Sequence, residues 1–131
     1  MVSTQNEIKE LVDDLKWGHP ETRKKAAVKL GRIRDISVIP HLINAMKTDE
    51  YVYTRVSAIQ SLLWIADHSI IEALISVALN DKEKLVKLTA IEGLGSMKNK
   101  DALMALNAIY NSETNPEIRE ATKKAIDNIS K

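Results

Sequence analysis

Five columns of similar residues recur along this chain at a spacing of 32. One holds Arg23, Arg55, Lys87 and Arg119, and a second holds Ala26, Ala58, Ala90 and Thr122. Three more are apolar or nearly so: Leu30, Leu62, Leu94 and Ile126; Ile33, Ile65, Met97 and Ile129; Thr22, Thr54, Val86 and Ile118. A period of this length restricts a chain to stacked copies of one supersecondary unit, because each copy buries its apolar face only against its neighbours.

Each copy reads as a pair of helices. Val38, Ile39, Leu42, Ile43, Ala45 and Met46 keep the i, i+3, i+4, i+7 spacing of one helical face. Ile70, Ile71, Leu74, Ile75, Val77 and Ala78 repeat it, as do Ala102, Leu103, Leu106, Ala108, Ile109 and Tyr110. These are the A helices, and the five columns lie on the B helices. Ser37, Ser69 and Asp101 precede the A helices and are expected as N-caps, as are Asp49, Asp81 and Asn115 for the B helices. Pro40 and Pro116 fall where a first helical turn loses no hydrogen bond. The first A helix, with the stripe Ile8, Leu11, Val12 and Leu15, is one residue out of register, so the turn at Trp17-Gly18-His19 is one residue shorter. The spacing predicts helices over 4–16, 20–33, 37–47, 50–65, 69–80, 82–97, 101–111 and 116–129, with no strand. The expected architecture is an all-α solenoid of four hairpins, a single domain over 1–131 with repeats near 4–34, 35–66, 67–98 and 99–131.

A chain of 131 residues without cysteine has no disulfide and no thiolate metal site. The N-terminus is polar and lacks a signal peptide, and no apolar run reaches membrane-spanning length, so a soluble cytoplasmic protein is expected. Thr4 and Glu7 have capping-box spacing. The polar outer faces of the first and last helices suggest that both ends are capped and the protein complete. Net charge is +1, but residues 1–34 carry +3, from Arg23, Lys24, Lys25, Lys29, Arg32 and Arg34 on one helix, against −1, −1 and 0 in the later repeats. A nucleic-acid binder extends such a stripe along its whole groove. The confinement to one helix argues against nucleic acid and for a solvated face.

The segment Pro20-Glu21-Thr22-Arg23-Lys24-Lys25-Ala26-Ala27-Val28-Lys29-Leu30-Gly31-Arg32-Ile33-Arg34-Asp35, followed by Val38-Ile39-Pro40-His41-Leu42, resembles the short HEAT-like repeat first noted in phycobilin lyase subunits. The resemblance covers nearly the whole chain in four copies, the fourth the most degenerate. It implies a right-handed superhelix with A helices on the convex side and B helices lining a concave one. It also implies that the Arg column bonds an Asp at the turn between repeats, where the matching residues here are Asp35, Asp67 and Asn99, which makes those arginines structural. The family's enzymes leave marks that are absent: His19, His41 and His68 lack the His-Glu pairs of the di-iron deoxyhypusine hydroxylases. HEAT-like DNA glycosylases use a basic, aromatic-lined concave face; this chain has aromatics there but little basic charge beyond repeat one. No metal, cofactor or catalysis is expected.

On that fold, the B-helix positions between the core columns face the concave groove. Lys24, Lys25 and Arg32 supply a basic rim in repeat one. Tyr53, Val56, Ser57, Gln60 and Trp64 follow in repeat two, and Leu85, Leu88 and Glu92 in repeat three. Tyr53, Val56, Trp64, Leu85 and Leu88 are larger and more apolar than a water-facing groove requires, and exposed apolar clusters mark interaction sites. The opposing expectation is that Trp64 or Leu85 folds back into the stack. Trp17, in the short turn, is expected to pack locally. The chain is therefore expected to bind a protein or peptide, with a second copy of itself open as partner. The alternatives are a nucleic-acid module using Lys24, Lys25, Lys29 and Arg32, or an accessory subunit of a cofactor-attaching lyase.

Overall fold

The computed structural model describes residues 4–131. Among these residues there are eight α-helices and no strand: α1 (Thr4–Trp17), α2 (Pro20–Ile33), α3 (Ile39–Thr48), α4 (Val52–Ile65), α5 (Ile71–Asn80), α6 (Lys84–Met97), α7 (Leu103–Ser112) and α8 (Pro116–Ser130). The odd-numbered helices are the A helices and the even-numbered ones the B helices. The chain divides into two compact units, Met1–Asp67 and His68–Lys131, each made of two hairpins. The division falls at the junction of the second and third repeats.

In the first unit, α1 packs on α2, α3 on α4, and the two B helices α2 and α4 on each other. Its core is built from the stripe Ile8, Leu11, Val12 and Leu15, from Leu42 and Met46 of α3, and from the column residues Leu30 and Leu62. The second unit repeats the scheme, with α5 on α6, α7 on α8 and α6 on α8, around Leu74, Leu94, Leu106 and Ile118. The short connection anticipated after α1 is present: two residues, 18–19, join α1 to α2, where three, 49–51, join α3 to α4.

Ala58 and Ala90 are fully buried, as their column requires. Each sits where its B helix meets its neighbours, with no exposed surface left to receive a larger side chain. Ala58→Leu is expected to cost about 2 kcal/mol through overpacking, read as a shift in the urea midpoint at unchanged slope.

Two small residues set the approach of the paired B helices. A Cβ on Gly31 would stand 2.7 Å from Ser61 Cα and closer still to the Ser61 side chain. The Ser61 hydroxyl donates to the Ala27 carbonyl at 2.7 Å, so α4 is pinned to α2 through a buried bond. The second unit has the same interlock 64 residues later, where a Cβ on Gly95 would meet Ala125 Cα at 2.8 Å.

The ends of the helices depart from expectation in one consistent way. A 3-10 turn precedes three of the A helices, at Ile36–Val38, His68–Ile70 and Lys100–Ala102. Ser37 and Asp101, expected as caps, lie inside these turns and donate their backbone N–H groups to Asp35 and Asn99, at 2.9 and 2.8 Å. The cap therefore acts two residues earlier, in an Asx-type turn that opens the 3-10 segment. Asp49 and Asp81 behave alike, accepting from the N–H groups of Tyr51 and Glu83, both at 2.9 Å, while Tyr51 and Glu83 occupy the N-cap positions. Asn115 caps α8 as expected, accepting from Glu117 and Ile118. Thr4 opens α1, and the residues before it lie outside those described.

The arginine column is structural, but at the opposite end of the repeat from the one expected. Arg23 donates Nε and Nη2 to the Asp49 carboxylate at 2.9 and 3.1 Å, and Nη1 to the Gly18 carbonyl at 2.9 Å. Arg55 donates to the Asp49 carbonyl at 2.8 Å, and Arg119 to the carbonyls of Tyr110 and Glu113. Asp35 is not the partner of Arg55; its carboxylate serves Ser37. The reason is axial distance. The arginines sit in the first turn of the B helices, whereas Asp35 and Asp67 follow the last turn, about 18 Å away at 1.5 Å per residue. What an arginine in the first turn can reach is the connection between the A and B helices.

Candidate functional site

The expected site residues fall on two surfaces, one in each unit. In the first, Lys24, Lys25 and Arg32 lie on α2, and Tyr53, Val56, Gln60 and Trp64 on α4. Tyr53 and Trp64 are 53% and 43% exposed. Eleven residues separate them, three turns of helix, so they occupy one stripe about 17 Å long with Val56 and Gln60 between. Trp64 is not folded into the core. Ser57 does turn inward and is buried, because its angular position falls on the side of α4 that meets the other helices. Tyr53 stacks edge-on against Tyr51, centroids 5.4 Å apart at 77°, which holds it at the start of the helix.

The rim is less uniformly basic than its composition. Lys24 pairs with Glu21 at 3.2 Å, and the same carboxylate accepts from the Tyr51 hydroxyl at 2.6 Å. The Tyr51 bond, followed by the Lys24 bond, holds the Glu21 carboxyl below its usual range, and the Glu21 carboxylate in turn raises Tyr51. Arg32, by contrast, lines an open depression of about 370 Å³ with Arg34 and Trp64. Arg34 belongs to this surface although its sequence position, beyond the last helical turn, gave no reason to include it. Its backbone is left-handed at φ 58°, and its side chain borders the same depression as Arg32.

In the second unit, Leu85 is exposed near the start of α6, Leu88 is half-buried and Glu92 exposed. Leu88 and Glu92 line a groove of about 600 Å³ whose other wall is α8, through Pro116, Glu120, Ala121 and Lys124. Its carboxylates are partly satisfied: Glu117 pairs with Lys84 at 2.8 Å, and Glu120 lies 3.9 Å from Lys124.

Trp17 does not pack locally. It is 82% exposed and borders a depression of about 460 Å³ that includes Arg23, His41, Asn44 and Asp49. On the helical wheel it lies 200° beyond Leu15, off the buried stripe. The turn offers no interior space either, since a Cβ on Gly18 would already stand 2.7 Å from the Thr22 side chain. Among the described residues no group of three His, Asp or Glu side chains could hold a metal ion, and no helix is long and apolar enough to cross a membrane.

Comparison with known families adds two matches. A model described as HEAT repeats matches residues 39–127, and one described as the PBS lyase HEAT-like repeat matches residues 22–48. No curated protein matches the chain by sequence.

Proposed function

The chain belongs to the HEAT-repeat family, whose members are in general protein-interaction scaffolds, and on that premise we propose that it binds another protein or a peptide through the exposed face of its B helices, without catalysis. One observation carries this reading: Tyr53 and Trp64, large aromatic side chains, stand exposed on a single stripe of α4. Rigid aromatics of this kind bring contact area at low entropic cost and are the commonest energetic centres of interfaces. Val56 and Gln60 form the floor between them, and Lys25 and Arg32 steer an approaching partner. Leu85, Leu88 and Glu92 offer the corresponding face of α6. The match of residues 22–48 is to a type of repeat and assigns no lyase chemistry.

Burying an exposed tryptophan in a partner is worth about 2 kcal/mol, so Trp64→Ala should weaken binding roughly thirtyfold. The check is the dissociation constant of a partner captured by the immobilised chain, compared between the wild type and the variant at equal folded fraction. Equal affinity would remove this face from the site. Salt separates the reading from phosphate-driven binding, which weakens steeply between low and physiological ionic strength.

A further inference from the structure

Three of the five arginines, Arg23, Arg55 and Arg119, are engaged within the protein. Arg23 is committed to Asp49, Lys24 to Glu21, Lys84 to Glu117, and Arg119 to backbone carbonyls and the Tyr110 ring, 4.1 Å beneath its guanidinium. Arg32 and Arg34 are different. Among the described residues neither guanidinium has a carboxylate partner, yet both border one depression whose remaining wall is the Trp64 indole. The nearest acidic side chain in sequence, Asp35, accepts from the Ser37 N–H, and hydrogen bonding to the Ser37 side chain, then to its backbone, holds the Asp35 carboxyl below the usual range. Its charge is turned to the 3-10 turn rather than to the arginines.

We propose that this depression is an anion subsite for an acidic peptide: Arg32 and Arg34 take a side-chain carboxylate or phosphate, and the adjoining apolar side chain of the peptide lies on Trp64. The inference rests on the reading of the α2–α4 face as a peptide-binding surface. The chemistry follows from the groups. Guanidinium forks match the planar spacing of carboxylate and phosphate oxygens, and two of them beside an indole favour a ligand that is anionic at one atom group and apolar at the next. The depression, about 370 Å³, suits one side chain and its neighbour. A polynucleotide asks for a row of cations along its backbone. Here the row is confined to α2, where Lys25 and Lys29 precede Arg32; the stripe of α4 beyond Trp64 carries Gln60, Val56 and Tyr53 and no cation. The left-handed backbone of Arg34 is a property of the repeat, shared by Ala66 and Lys98 at the same position. Only this copy puts a guanidinium there.

The test uses the full chain with Trp17→Phe, so that Trp64 is the one indole and its emission reports the subsite. The probes are short peptides on one leucine-containing frame that differ at a single position, occupied by Glu, phosphoserine, Gln or Lys, together with an oligothymidylate. The Glu and phosphoserine peptides should shift Trp64 emission, with affinities at least about tenfold above the Lys peptide. Arg32→Gln and Arg34→Gln should each remove about that advantage, while Lys29→Gln leaves it. Thermal melts of the variants should be unchanged, which separates loss of the subsite from loss of fold. Equal binding of all four peptides would overturn the anion subsite and leave the apolar face standing. Tight, steeply salt-dependent binding of the oligothymidylate with no peptide binding would overturn both readings. Absence of any Trp64 response would overturn the subsite, while capture of a partner through Trp64 stands or falls separately.

Discussion

Gly31→Ala lowers the stability of the first unit by about 3 kcal/mol, although alanine is the better helix former. Three terms compete. The alanine gains about 1 kcal/mol of helix propensity. Against this, the new Cβ meets Ser61 at its Cα, 2.7 Å away, and a backbone atom cannot rotate aside. Separating α2 from α4 to relieve that contact costs about 1–3 kcal/mol in overpacking and lost dispersion. It also stretches the buried bond from the Ser61 hydroxyl to the Ala27 carbonyl, 2.7 Å in the native packing, and stranding that hydroxyl costs about 1–3 kcal/mol. Both tryptophans, Trp17 and Trp64, lie in this unit, so urea unfolding followed by their fluorescence reads the effect directly. An unchanged midpoint would mean that the helices are not held at this distance. Gly95→Ala meets Ala125 at 2.8 Å with no side-chain bond at risk, and a smaller loss is expected.

Arg23→Ala has an effect of similar size by another route, about 2–3 kcal/mol. The Arg23 and Asp49 side chains are only 17% and 7% exposed, and the guanidinium makes both bonds to the carboxylate and a third to Gly18. The Asp49 bond raises Arg23 further above its already high ordinary pKa, so the guanidinium stays charged. Truncation strands a nearly buried carboxylate that keeps the Tyr51 N–H, and it unties the α1–α2 connection from the α3–α4 connection. Breaking a fully buried pair costs about 3–5 kcal/mol, and the residual exposure of Arg23 reduces that. Arg23→Lys keeps the charge but cannot reproduce the fork, so it should recover less than half of the loss. Partner binding per folded molecule should be unchanged by either variant. A change there would place the arginine in the site rather than in the frame.

These two positions also mark the boundary of what could be read from the chain without coordinates. Gly31 stands in plain view within the repeat, in a column it shares with Leu63, Gly95 and Asp127. Nothing along the chain says that it faces Ser61. The arginine column was legible as structural from its period, yet its partner was misassigned. Period relates equivalent residues to one another; it carries no information about which end of a neighbouring element a long side chain reaches.

What the sequence determined by itself is the set of properties that depend on periodicity and local chemistry. The 32-residue columns required paired helices, and the 3.6-residue spacing required their spans and buried stripes. The same angular bookkeeping put Tyr53 and Trp64 on one side of α4, because a residue's side of its own helix is a local quantity, but that Trp64 stays exposed rather than folding back was decided by the packing. The tertiary structure decided the rest, where separate segments meet. It turned Trp17 out to solvent beside a turn too tight to admit it, and moved the caps to Asp35 and Asn99. It also committed Lys24 to Glu21, and left Arg32 and Arg34 together beside Trp64. Each of these depends on distances between side chains from elements apart in the chain, set by helix packing rather than by any residue's neighbours in sequence.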